Sequence, residues 1–481
     1  MRVQLIEPPA RYPGCDVDQR TPERLFGCAF ELYHMPDLAQ LQLLSIVRQA
    51  GHEIDFLDAT LEQLDAATFE ERVAAFAPDA LVLHGVLLSK PVDCYWIARL
   101  LDLAPATQIF VYGPEPTRVP EQFLLDQRVI VLRGEADLSL PALLAGEVHQ
   151  GVSRLVNGAP EHVPSEGRIV DFESLPAPDW DIEPLRRLRH KLRNPKFRVP
   201  PQANLLLSRG CAYRCLFCVP ISLSFAREQE HLKNAVRKPP VSMLSAATAI
   251  ERFKQLAQWG YRSVMVVDDQ FLWAQPRTLE ICEGIADLKL SWGCLSRADF
   301  LQDLQVAQAL ADAGCESIDI GVESLSQDTL DYVRKDLKVE QVHTAVHNLR
   351  SAGIRPKINI VIGASPFETE ARIIDSVRQL QKMGASEVMF SIATPFKGTE
   401  FYRLCREQGY LKDQGEAINP MGKAMIGYPP PGLSAEGLEA ASKRAYRAFY
   451  LSPRFIFNRL KSVRSPADLL ADVKTALRIL R

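Results

Sequence analysis

The stretch Ser208-Arg209-Gly210-Cys211-Ala212-Tyr213-Arg214-Cys215-Leu216-Phe217-Cys218 decides how the rest of the chain is read. Its cysteines follow a C-x3-C-x2-C spacing, with an aromatic residue, Phe217, before the last of them. One tight loop with that spacing can aim three thiolates at a single cube of iron and sulfur. A [4Fe–4S] cluster takes four thiolates. Three leave one iron open, and an open metal position is where a metal site does chemistry rather than only holding structure. A structural zinc site is the plain alternative. Zinc sites pair C-x2–4-C with a second Cys or His pair nearby, and the nearest histidines, His190 and His231, stand at the wrong offsets.

Working outward, the loop opens a run of alternating strand and helix patterns. Strands are expected at Asn204–Ser208, Ser263–Val267, Ser291–Leu295, Ser317–Gly321, Lys357–Ile362 and Glu387–Ile392, with helical periodicity between them. About six βα units in a row predict a partial (β/α)6 TIM-type barrel over residues 200–410, with its chemistry at the carboxyl ends of the strands. The cysteine loop follows the first strand and so lies on that face. Asp268 and Asp269 close the second strand, where two carboxylates can receive an ammonium group; a helix cap or loop salt bridge is the plainer role. Arg297 closes the third strand and suits a bidentate carboxylate contact, or an ion pair with Asp299. Glu323 closes the fourth and can accept hydroxyl groups. Gly363 closes the fifth, where a glycine lets a flat ring approach, and Thr394 follows the sixth.

Residues 1–150 show the same alternation, with short β-rich runs at Val3–Ile6, Ile54–Leu57, Ala80–Leu83, Gln108–Tyr112 and Val129–Leu132. This predicts a doubly wound parallel sheet that binds ligands at the strand ends. The loops there carry His84, Gly113, Thr117, Gly134 and Glu135. Residues 151–199 are rich in proline and charge and read as a linker over a surface. Residues 411–481 read as a helical extension. From Lys443 onward it is basic, with Tyr446, Phe449, Tyr450, Phe455 and Phe457 interleaved. Such a helix either lies on an anionic membrane surface or packs its aromatics on the barrel.

The chain has 481 residues, too many for one ordinary core. A net charge of −3 implies no general attraction to nucleic acid. The start, Met1-Arg2-Val3-Gln4-Leu5-Ile6-Glu7, reads as a strand and not as a signal peptide. Ten cysteines scattered over this length do not resemble a secreted disulfide framework. A thiolate-bound cluster needs a reducing compartment, so the cytoplasm is expected, with the inner membrane face as the peripheral option. Cys15, Cys28 and Cys94 are spaced too widely to suggest a second cluster.

The cysteine loop resembles the signature of radical S-adenosylmethionine (SAM) enzymes. The whole chain resembles the members with an N-terminal cobalamin-binding domain, the group of class B radical SAM methyltransferases and anaerobic magnesium-protoporphyrin ester cyclases. The likeness runs through Ala50–Glu53, Pro78–Ala80, Arg133–Glu135, Leu175–Asp179, Ser208–Cys218, Asp268–Phe271, Arg297, Gly321–Ser324, Gly363, Thr394–Thr399 and Phe449–Pro453. The resemblance implies that Cys211, Cys215 and Cys218 ligate a [4Fe–4S] cluster whose open iron chelates SAM. It implies SAM contacts from Asp269, Arg297 and Glu323, and cobalamin at the strand ends of the first domain. It further implies a 5′-deoxyadenosyl radical that takes hydrogen from an unactivated carbon, then methyl transfer from methylcobalamin. A small or lipid-like substrate and a flavodoxin- or ferredoxin-type electron donor follow.

Three positions depart from the family pattern. Tyr112-Gly113-Pro114-Glu115 stands where two glycines and a histidine are usual, Gly363–Thr369 where Gly-Leu-Pro-Gly-Glu-Thr is usual, and no Asp-x-His-x-x-Gly motif is present. Three rival readings remain open. One is radical cyclisation, rearrangement or lipid coupling without methyl transfer. Another is a tRNA methylthiotransferase, which would want a second cysteine cluster and an RNA-binding barrel. The last is a non-catalytic cluster-bearing sensor.

Overall fold

The computed structural model describes residues 1–11, 25–28, 31–147, 149–194, 196–197, 199–235, 237–412, 423–462 and 473. Two parallel sheets organise the described chain. The first runs in the order Glu53–Asp58, Arg2–Glu7, Ala80–His84, Gln108–Tyr112, Val129–Leu132, all parallel. Its central strands bury every residue from Ala80 to His84, as a sheet covered by helices on both faces requires. The winding direction reverses between Arg2–Glu7 and Ala80–His84, which makes their carboxyl ends the crevice of the domain.

Two further strands, Val152–Val156 and Ala159–Val163, extend this sheet antiparallel beyond Val129–Leu132. They correct the expectation of a linker beginning at residue 151. Asn157 and Gly158 sit at φ +53° and +80°, the turn that an Asn-Gly pair favours in a two-residue hairpin. That dipeptide between two short β runs was the signal in the sequence.

The second sheet holds six parallel strands in chain order: Gln202–Leu205, Ser263–Val266, Ser291–Ser296, Cys315–Glu323, Arg355–Ile362 and Glu387–Ile392. Its first and last strands do not pair, so the barrel is open. The first strand ends at Leu205, earlier than the expected Ser208. Ser208–Arg209 instead turns out of the barrel and pairs antiparallel with Ser242–Met243. Helices such as Ala246–Gln258, Leu304–Asp312 and Glu370–Met383 cover the outside, started by Ser245, Asp303 and Thr369 accepting backbone N–H bonds. Inside the sheet Asp319 holds two buried lysines, Lys196 at 2.5 Å and Lys357 at 3.0 Å.

Helix Ala435–Tyr450 folds back on the last strands. The Tyr446 hydroxyl accepts the Phe390 N–H at 3.1 Å, and Tyr450 bonds both the N–H and the carbonyl of Val388. Phe449 is 1% exposed and Phe455 packs on it. These aromatics therefore serve the barrel and not a membrane surface, which corrects that option for them. A burial gain is open to them on the sixth strand, and water would be their alternative. Phe457 stays exposed. The basic residues of 463–472 and 474–481 lie outside the described residues, as does Cys15. Among the described residues no helix is long and apolar enough to cross a membrane.

Candidate active site between the two sheets

The cysteine loop is built before any metal enters it. All four carboxylate oxygens of Asp268 and Asp269 accept hydrogen bonds from the loop and its flanks. Asp268 takes the Leu207 N–H at 2.7 Å and the Ser208 hydroxyl at 2.6 Å. Asp269 takes the Gly210 N–H at 3.1 Å and the Ile221 N–H at 2.8 Å. The sequence reading offered the pair as ammonium acceptors; the structure gives their oxygens to three backbone N–H groups and the Ser208 hydroxyl, which enter and leave the cysteines. Burial pushes the Asp268 carboxyl up to about 7, against those hydrogen bonds.

Cys211, Cys215 and Cys218 are partly exposed at the carboxyl end of the barrel. The Cys218 N–H reaches the Cys215 carbonyl at 3.2 Å, which closes the turn. Burial raises all three thiols, and at Cys218 the neighbouring Cys215 and Cys211 raise it further. Lys335, Arg297 and Lys238 face Cys215 and act the other way. These cations offset only part of the burial penalty, and the thiols would give up their protons to bound iron. Among the described residues no three His, Cys, Asp or Glu side chains gather as a single metal ion requires. A cube takes one thiolate per iron and needs no such gathering. Phe217 packs partly on the barrel core beside them.

Arg297 lies over the Tyr213 ring, its guanidinium carbon 3.5 Å from the centroid. Its Nε bonds Asp299 at 2.9 Å and its Nη2 bonds the Asp336 carbonyl at 2.9 Å. Nη1 is buried without a hydrogen-bond partner. A buried guanidinium donor of this kind costs free energy unless an anion meets it. Glu323 stands at φ +70°, a rare conformation for a non-glycine residue and one that clusters at functional sites. Its Oε1 accepts from Lys335 Nζ at 2.9 Å. Arg297, Glu323 and Lys335 thus surround the thiols, and SAM's carboxylate and hydroxyls fit that donor and acceptor set.

Gly363 is placed differently from the expectation, while Thr394 follows the sixth strand as read. The space beside Gly363 is filled by Leu438, whose methyl would lie 2.9 Å from an added Cβ, and its carbonyl accepts from Tyr428 at 2.7 Å. The close approach anticipated for a flat ring is made there by a protein side chain. Only the folded-back helix shows this, because 75 residues separate the two in sequence. The Thr394 hydroxyl donates to the Ile392 carbonyl.

The first-domain candidates divide into two groups. His84 bonds Asp37 through Nδ1 at 2.5 Å and stacks on Tyr112 at 4.7 Å. Gly113 adjoins it at φ +117°, where an added Cβ would lie 2.3 Å from the Gly85 carbonyl and 2.6 Å from the His84 ring. His84 lines a half-open cavity of about 460 Å³ between the sheets. One wall is Met35, Asp37, Val86 and Leu88; the other is Val219, Pro220, Leu223 and Phe225, the return of the cysteine loop. The cavity sits at the reversal point of the first sheet and offers a largely apolar face on each side, which suits a broad flat ring. Because it is open, a ligand need not be contained by it.

Thr117, Gly134 and Glu135 do not join that cavity. They meet helix Ser222–Ala235, which follows the cysteines. Thr117 accepts the Gly134 N–H at 3.0 Å and its carbonyl accepts from Lys233 at 3.0 Å. Arg133 pairs with Glu230 at 3.2 Å. Glu135 is raised by burial, and Arg209 and Arg227 lower it. Arg209 and Asp137, which sequence reasoning did not select, pair at 2.5 Å with both side chains buried. No periodicity announces such a pair across 72 residues.

Residues 205–380 match the Radical SAM superfamily. The chain is 25% identical over 437 residues, 88% of its length and 89% of the other's, to an uncharacterized methyltransferase of Pyrococcus horikoshii. It is 23% identical to an anaerobic magnesium-protoporphyrin IX monomethyl ester cyclase of Synechocystis, over 86% of this chain and 79% of that one. The fold is similar to the cobalamin-dependent SAM radical enzyme OxsB, solved with aqua-cobalamin and SAM bound. The TM-score is 0.73 at 16% identity, over 98% of this chain and 70% of that one.

Proposed function

We propose that this chain, which carries a radical SAM domain with the [4Fe–4S] cluster and SAM that such a domain implies, is a cobalamin-dependent enzyme that methylates an unactivated carbon of a small molecule. The observation that carries the reading is the cavity whose walls are the strand ends of the first sheet and the return of the cysteine loop. It is where a ligand of the first domain and a ligand of the barrel would face one another. The name of the Pyrococcus relative and the cofactors of the OxsB chain support the same reading. When bound, the cluster with SAM and the cobalamin supply hydrogen abstraction from carbon and a transferable methyl group.

The chain's own residues bind and orient. Cys211, Cys215 and Cys218 would hold the cluster on a loop that Asp268 and Asp269 keep rigid. Arg297 would meet the SAM carboxylate through Nη1, and Lys335 would hold Glu323 toward the ribose. His84 and Asp37 would face the corrin, with Gly113 packed against the His84 ring, while the apolar wall from Val219 to Phe225 would exclude water. Lipid-like molecules belong to the substrate class that an apolar cavity admits. A flavodoxin- or ferredoxin-type protein would supply electrons, in the cytoplasm.

The test is iron and cobalamin content after anaerobic purification with hydroxocobalamin supplied during expression. One cobalamin and about four irons per chain is the expected result, with both iron and SAM cleavage lost in Cys215→Ala. Four irons without cobalamin would remove methyl transfer and leave hydrogen abstraction, as in an oxidative cyclisation.

A further inference from the structure

The three cysteines are bracketed. On one side Arg209 stands two residues before Cys211; on the other, helix Ser222–Ala235 begins four residues after Cys218. Both flanks are gripped by one short segment of the first domain, residues 133–137. Arg209 is 1% exposed and forks onto Asp137, Nη1 to Oδ2 at 2.5 Å and Nη2 to Oδ1 at 3.3 Å. The same Nη1 lies 3.5 Å from Glu135. The guanidinium also covers the Phe172 ring of the linker at 4.7 Å. Across the loop, Arg227 lies 3.8 Å from Glu135 and donates to the Arg209 carbonyl at 3.3 Å. Arg133 holds Glu230 on the next turn of that helix.

Two arginines and two carboxylates in so buried a place are poor candidates for simple stabilisation, since well-packed apolar residues do as well or better. What a forked ion pair adds is a defined geometry. We infer that Arg209 is a positioning residue. With Asp137 and Glu135 it fixes the cysteine loop to the first domain, so that Cys211, Cys215 and Cys218 would hold a cluster in one set orientation relative to that domain. The cluster is then aligned by a domain that contributes no cysteine to it. The readout below rests on the radical SAM reading and not on cobalamin.

The test uses the full chain, reconstituted with iron and sulfide. Arg209→Met alone would leave Asp137 buried and unpaired and can fail to fold, so the deciding variant is Arg209→Met/Asp137→Leu, which removes both charges. The first readout, amide hydrogen exchange, needs no cluster. Residues 208–218 and 136–144 are expected to exchange faster together in the double variant, with the strands of both sheets unchanged. The second readout is the electron paramagnetic resonance signal of the reduced cluster with and without SAM, alongside dithionite-driven release of 5′-deoxyadenosine. The variant should keep the wild-type iron content, show a weakened SAM-dependent change in the signal, and release 5′-deoxyadenosine about tenfold to a hundredfold more slowly, the scale of a misplacement near 1 Å. Arg209→Lys, with one bond in place of the fork, should fall between. Unchanged exchange at 208–218, or an unchanged signal and cleavage rate, overturns the inference. So does loss of iron in the double variant, because the pair would then serve cluster assembly. A wild-type chain without about four irons would instead be a failure of the radical SAM reading, and the exchange readout would still decide the bracket.

Discussion

Replacing Gly113 by alanine tests the strand-end geometry most directly. Gly113 sits at φ +117°, ψ −175°, a region that only glycine occupies comfortably; a side chain there costs about 1–3 kcal/mol. The new methyl would also lie 2.3 Å from the Gly85 carbonyl oxygen and 2.6 Å from the His84 ring. One of those neighbours is backbone and the other is held by Asp37 and Tyr112, so neither yields freely. Overpacking of this kind adds about 1–3 kcal/mol. The total of about 2–6 kcal/mol is a large part of the 5–15 kcal/mol that stabilises a domain. Gly51→Ala is the matched control. Gly51 is also at positive φ, +84°, but nothing lies within 4 Å of its would-be Cβ. It should cost about 1–2 kcal/mol, from backbone strain alone. Urea unfolding followed by circular dichroism compares the two variants with the parent. Gly113→Ala should unfold at clearly lower urea than Gly51→Ala. Equal midpoints for the two variants would refute the argument that contact at the His84–Gly85 turn sets the size of the effect.

Three other perturbations have definite signs. Burial holds the Glu368 carboxyl up to about 7 although it accepts the Gly363 and Ala364 N–H groups. The folded chain therefore holds this proton more tightly than the unfolded one. Its contribution is full below pH 4.5 and is lost as pH rises toward 7, roughly 3 kcal/mol at 1.36 kcal/mol per unit. Glu368→Gln should flatten that part of a stability–pH profile, and an unchanged slope would contradict it. Lys335→Met leaves Glu323 buried and unpaired and should cost about 3–5 kcal/mol, read by thermal melting, with Lys335→Met/Glu323→Leu recovering much of it. Arg297→Met should weaken SAM binding to the reconstituted cluster by about tenfold or more, the worth of one charge-assisted bond, measured by equilibrium dialysis. Arg297→Met with parental SAM affinity would remove Nη1 from the SAM site.

Local pattern carried far in this chain. The parallel strands of both sheets were legible because each is a short β-rich run between helical stretches, and strand position needs only a few neighbours. Glu387–Ile392 and Gln108–Tyr112 came out as read. The hairpin at 152–163 was legible too, through Asn157-Gly158, but was absorbed into the linker by the prolines and charges that follow it.

What the sequence alone determined is the chemistry that adjacent residues can specify: three thiols in one turn, strand ends that carry Arg297 and Glu323, a barrel behind a doubly wound domain and, through the likeness of the cysteine loop, its radical SAM character. Only the tertiary structure decided which side chains meet. It turned Asp268 and Asp269 toward the cysteine loop, filled the space beside Gly363 with Leu438, and separated His84, at the cavity with Gly113 against its ring, from Thr117, Gly134 and Glu135, at the bracket. The reason is physical. Strand and turn preferences act over a few residues. The partner of a buried charge such as Arg209 is set by how two whole sheets pack, and the residue string does not display that distance.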